Sequence, residues 1–92
     1  MARAWSDNEE ASPLARARGV ARALWQQFHR ALDRKYYLVA TLRHDRRLTP
    51  EDQHRIGGIL AEINEHLGEL DGRLEAAELV IKRILTRTSH EQ

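Results

Sequence analysis

The clearest pattern in the chain is a heptad repeat in its second half. Apolar residues follow one another there at alternating steps of four and three, which places them along one seam of a helix. They are Ile56, Leu60, Ile63, Leu67, Leu70, Leu74, Ala77, Ile81 and Ile84. Thr49 can cap the start of this helix, and Pro50 suits its first position. The pattern predicts a helix over 50–88, followed by a C-terminal tail over 89–92.

The first half of the chain predicts another long amphipathic helix, over 13–44. Ser12-Pro13 is a start signal, and apolar residues then recur at a spacing of three and four. We assign Leu24, Phe28 and Leu42 to the seam that faces the other helix. A short turn over 45–49 makes the two helices antiparallel neighbours. The predicted fold is therefore all-α, with two long antiparallel helices that form a coiled-coil hairpin over 13–88.

Two segments leave alternatives open. Residues 1–12 are expected to form an N-terminal arm or a short extra turn, since Trp5-Ser6 followed by Glu9 is typical of a capping box. Asp71-Gly72 is a turn signal that can divide the second helix. The heptad continues in register from Leu70 to Leu74, which favours one continuous helix.

The hairpin is expected to need a further partner, because its first helix is too widely apolar for one neighbour. The apolar positions span roughly 160° on the first helix and roughly 120° on the second. The uncovered surplus lies on one side of the first helix or the other, and such apolar strips typically mark interfaces. One side carries Val20, Ala31 and Leu38. The other, which we predict as the protein interface, carries Trp25, Leu32, Tyr36 and Val39. The expected assembly is a homodimeric four-helix bundle, or a hairpin completed by another protein.

Lys35 falls within the apolar arc of the first helix. A polar group at such a position can fix the register of a coiled coil. We favour the simpler interpretation, in which its methylenes pack against the seam and its ammonium group reaches water.

Charge is unevenly distributed along this chain of 92 residues, whose formal net charge is only +1. Residues 11–47 hold nine basic and two acidic side chains, and residues 48–92 hold five basic and nine acidic ones. The basic first helix makes nucleic-acid binding the alternative function. The candidate contacts are Arg16, Arg22, Arg30, Arg34, Arg43, Arg46 and Arg47.

Catalytic and metal-binding constellations have little support. The spacing Glu51-x-x-His54 is one that metal-binding helix bundles use, as is the group Glu62, Glu65 and His66. Most of these positions face solvent in the heptad frame, whereas bundle metal sites project inward. No cysteine is present, so thiolate chemistry is excluded. We expect no catalytic, cofactor-binding or metal-binding residues and no small-molecule substrate.

The sequence therefore predicts a non-enzymatic protein–protein interaction module, such as a small adaptor, a chaperone-like protein or an accessory subunit. No stretch is apolar enough to span a bilayer, so no membrane partner is expected. The N-terminus lacks the apolar core of a secretory signal, which predicts a cytoplasmic location.

Overall fold

The computed structural model describes the backbone of residues 12–91 and the side chains of residues 12–88. Helix α1 runs from Pro13–His44 and helix α2 from Pro50–Glu91. This confirms the predicted all-α hairpin, with α2 extending three residues beyond its predicted end. Of the predicted N-terminal arm over 1–12, residues 1–11, including Trp5, lie outside the described residues.

Capping side chains explain where each helix begins. The amide of Ala15 donates a hydrogen bond of 3.4 Å to Ser12 Oγ. At the start of α2, the amide of Asp52 donates to Thr49 Oγ1 at 3.1 Å, and the amide of Thr49 donates to Asp52 Oδ2 at 3.2 Å. This reciprocal pair satisfies two backbone donors that have no partner within the helix.

The turn between the helices is closed by Asp45. Its Oδ1 accepts hydrogen bonds from the backbone amide of Arg47 at 3.0 Å and from Arg47 Nε at 3.3 Å. The backbone hydrogen bond is the main cause that lowers the pKa of Asp45, and the guanidinium of Arg47 adds to it. Both interactions favour the charged carboxylate, so the turn is best held when Asp45 is ionised.

Helix α2 passes through Asp71-Gly72 without a break, as the heptad register predicts. No glycine in the described residues has a positive φ, so none forms a turn. A Cβ built on Gly58, Gly68 or Gly72 would meet nothing within 4 Å. Close packing inside the chain therefore does not require glycine at these positions.

The helices contribute to two compact units, and each has its own part of the seam. In the unit formed by residues 26–71, the buried side chains are Ile63, Leu67 and Leu70, and the half-buried seam residues are Phe28, Leu42, Ile56 and Leu60. In the unit that contains residues 12–25 and 72–91, Leu24, Leu74 and Ala77 are buried, and Ile81 and Ile84 are half-buried. Every predicted seam residue is thus wholly or partly removed from water.

Burial differs between the two helices. Among residues 12–88, six hydrophobic residues are buried, and Leu24 is the one of these that belongs to α1. The narrow apolar seam of α2 is covered by the wider apolar face of α1, whereas α2 is too narrow to cover α1 in return. Lys35 is half-buried on that wider face, as expected of a side chain whose methylenes pack while its ammonium group reaches water.

Candidate protein interface

An apolar flank of α1 remains open in the unit formed by residues 26–71. Tyr36 is 61% exposed, and Leu32 and Val39 beside it are half-buried. These three residues are four and three positions apart, so they share one side of the helix. We call this surface the α1 flank. Trp25, the fourth predicted interface residue, is 44% exposed and belongs to the other unit.

The opposite side of α1 in the same unit is more polar. Ala31 and Leu38 are half-buried there, and Ala31 lines a shallow groove of about 460 Å³. Its other lining residues are Gln27, Arg30, Arg34, Ile59, Glu62, Ile63 and His66. Because charged groups surround the groove, the α1 flank is the better surface for an apolar partner. Val20, also predicted on this side, is exposed in the other unit.

Tyr37 provides an internal comparison for the α1 flank. It is 71% exposed and lies one residue from Tyr36, about 100° further round the helix. Its carbonyl oxygen accepts a hydrogen bond of 2.9 Å from Thr41 Oγ1, which is local to the helix. The two tyrosines therefore differ mainly in the face they occupy.

The predicted nucleic-acid contacts do not form one stripe. All seven arginines are exposed. Arg30 and Arg34 border the groove that also contains Glu62, Arg43 lies on a different side of α1, and Arg47 is paired with Asp45 in the turn. A helix that binds along a phosphate backbone typically carries its basic side chains on one face. Helical spacing instead distributes the five arginines of α1 around that helix, and Arg46 and Arg47 lie in the turn.

The candidate metal spacings do not converge. Glu51, His54, Glu62, Glu65 and His66 are all exposed. Within the described residues, no three His, Asp or Glu side chains are placed to hold a metal ion together.

The last third of α2 carries exposed apolar residues that sequence reasoning did not combine into a surface. Leu79, Val80 and Leu85 are 54%, 46% and 45% exposed. Leu79 also lines a shallow groove of about 510 Å³, together with Lys82, Arg83, Thr86 and Arg87. The sequence signal for this surface is that three large apolar residues within seven positions lie off the heptad seam.

Comparisons with protein-family models, curated proteins and solved structures give no significant match. Within residues 12–91, no helix combines the length and the apolarity needed to cross a membrane.

Proposed function

We propose that this protein is a non-enzymatic protein–protein interaction module whose α1 flank binds an apolar helix of a partner protein. In this role it resembles a small adaptor or an accessory subunit. The observation that supports the proposal is the exposure of Tyr36 between two half-buried aliphatic residues, Leu32 and Val39. Amphipathic helices bind such surfaces through anchors at helical spacing.

The energetic argument rests on the uneven burial of the two helices. The α1 flank stays partly in water because the seam of α2 is too narrow to cover it. A tyrosine side chain can bury on the order of 150–250 Å² at an interface, with its hydroxyl group free to reach the polar rim. A partner helix laid along Leu32, Tyr36 and Val39 would complete the burial that the hairpin begins.

Nucleic-acid binding remains the alternative function. The seven exposed arginines support it by their number, but their distribution around α1 and into the turn supports it less well than a single basic face would.

The test compares two adjacent tyrosines. Circular dichroism first confirms that three proteins have equal helicity: the full chain, Tyr36→Glu and the matched control Tyr37→Glu. Each protein is then immobilised and used to capture proteins from the source cells. The captured protein is then purified and titrated against all three. We expect the original chain and Tyr37→Glu to bind alike, and Tyr36→Glu to bind at least about tenfold more weakly, because a glutamate would be buried unpaired.

Two results would contradict this proposal. One is equal affinity of the partner for Tyr36→Glu and the original chain. The other is that the immobilised chain captures nucleic acid and no protein, which would support nucleic-acid binding through the basic residues instead.

A further inference from the structure

A groove runs between the two helices on the side of α1 opposite the α1 flank. It has a volume of about 460 Å³, and each helix contributes four lining residues. From α1 these are Gln27, Arg30, Ala31 and Arg34, and from α2 they are Ile59, Glu62, Ile63 and His66. All eight belong to the unit formed by residues 26–71. On both helices their spacing is three, one and three positions, which describes one side of a helix over two turns, or roughly 10 Å. We call this feature the interhelical groove.

The floor of the interhelical groove is apolar. Ile63 is buried, with 8% of its surface exposed, and Ala31 and Ile59 are half-buried beside it. Because the side chain of Ala31 is a single methyl group, it leaves space above the seam that a larger residue would fill. The described residues of this unit form parts of two helices and the turn between them, so they provide no third element to cover the floor. An apolar side chain of another molecule can therefore reach it.

The rims of the interhelical groove are charged, and their charges do not pair across it. Arg30 and Arg34 are exposed on the α1 rim, and Glu62 and His66 are exposed on the α2 rim. Within the described part of the chain, none of these four side chains forms an ion pair within 4.0 Å or a hydrogen bond. The rims therefore leave the floor open. With His66 counted as neutral, the groove carries two positive charges and one negative charge, and both positive charges lie on α1.

We propose that the interhelical groove binds an amphipathic helix of a partner protein, with the acidic flank of that helix along Arg30 and Arg34. Acidic residues four positions apart on the partner match the spacing of these two arginines. A large apolar residue beside that flank packs on Ala31 and Ile59, as a knob packs into a hole of a coiled coil. The site lies on the other side of α1 from the α1 flank, so it goes beyond the function proposed above.

An acidic helix fits the interhelical groove better than a small molecule or a nucleic acid. Small-molecule sites bury about 70–90% of their ligand, whereas a groove between two helices leaves one side of its occupant in water. An amphipathic helix has a polar face for that side. A nucleic acid would be attracted by Arg30 and Arg34, but Glu62 on the other rim repels it, and the apolar floor offers its phosphates no hydrogen bond.

The test uses two synthetic peptides, each a stapled helix of about three heptads with leucine along its seam and glutamine on one flank. The other flank carries glutamate in the acidic peptide and lysine in the basic peptide. Methyl NMR of Ile59 and Ile63 reports on the interhelical groove, and that of Leu32 and Val39 reports on the α1 flank. We expect the acidic peptide to shift the two isoleucine methyls. The same shifts are expected in Tyr36→Glu, which separates this test from that of the α1 flank.

Charge exchange then tests what the groove recognises. The double variant Arg30→Glu with Arg34→Glu should bind the acidic peptide at least about fivefold more weakly than the original chain does, and the basic peptide more tightly. Glu62→Gln should bind the acidic peptide more tightly, because it removes the negative charge of the groove. A matched control carries Arg43→Glu and Arg46→Glu, the same change in net charge at exposed positions outside the groove. It should bind both peptides as the original chain does.

Circular dichroism confirms that each variant is folded before it is titrated. The proposal is overturned if the acidic peptide leaves the two isoleucine methyls unshifted at about 1 mM, where weak complexes form, or if it shifts only the methyls of the α1 flank. Equal affinity of the acidic peptide for the original chain and the groove double variant would also overturn it, as would an equal loss in the matched control. A single-stranded oligonucleotide that shifts the isoleucine methyls and displaces the acidic peptide would assign the groove to nucleic acid instead.

Discussion

Replacing Gly58 by alanine should stabilise the protein, although most substitutions destabilise one. Gly58 lies within α2, is exposed, and does not adopt a positive φ. An added Cβ would meet nothing within 4 Å, so it creates no clash and breaks no contact. The gain comes from the unfolded chain, which loses backbone freedom, and amounts to about 0.5–1 kcal/mol for a glycine in a helix interior. For a domain of this size that raises Tm by about 2–8 °C.

The assay is thermal unfolding followed by circular dichroism at one fixed protein concentration, since self-association alone shifts Tm. Gly68→Ala supplies the comparison. It should raise Tm by a similar amount, because an added Cβ at Gly68 also meets nothing within 4 Å. A Tm for Gly58→Ala equal to or below that of the original chain would contradict this prediction, since it would reveal a close neighbour at a position where the structure shows open space.

Three further predictions concern the core, a cap and the turn. Leu67→Asp should abolish most helical circular dichroism, because it buries a charge in the seam, whereas Leu85→Asp, at an exposed position of the same helix, should remain folded; equal helicity would contradict the register of α2. Thr49→Ala should cost about 0.5–2 kcal/mol in urea unfolding, because it removes the side-chain acceptor for an amide at the start of α2; an unchanged unfolding midpoint would mean that water replaces this cap at no cost. The carboxyl group of Asp45 should titrate by NMR at a lower pH in the folded protein than in the unfolded chain. A pKa lowered by folding stabilises the protein above the unfolded pKa, and this contribution is lost as the pH falls through the folded value. Coincident titrations would exclude the hydrogen bonds from Arg47 in solution.

The elements of the fold were predictable because their signals are local and redundant. Ser12 and Thr49 cap helices, and Pro13 and Pro50 occupy first helical positions, so both starts follow from short-range chemistry. The heptad carries α2 through Gly72, since burial of Leu70 and Leu74 on the same seam outweighs the local preference of one glycine. The end of α2 was the weaker prediction because residues 89–91 offer no apolar pattern or stop signal.

The candidate surfaces were less predictable, because exposure depends on what lies opposite each side chain. The sequence indicates a surplus of apolar residues on α1 but leaves two sides open. Ala31 and Leu38 are as well placed in the pattern as Leu32 and Tyr36. The two sides of α1 differ in the structure because the side of Ala31 is polar. There Glu62 and His66 of α2 line one groove together with Arg30 and Arg34.

The helices, the heptad register and the seam can be derived from the amino-acid sequence, since each depends on the periodic spacing of side chains along one helix. How much of each apolar side chain stays in water depends on the packing of one helix against the other. Tyr36 remains open because the narrow seam of α2 leaves it uncovered, and Leu70 is enclosed because the wide face of α1 covers the α2 seam. Burial depends on two surfaces in contact, and the periodicity of one helix specifies the apolar surface of that helix but not the surface that packs against it.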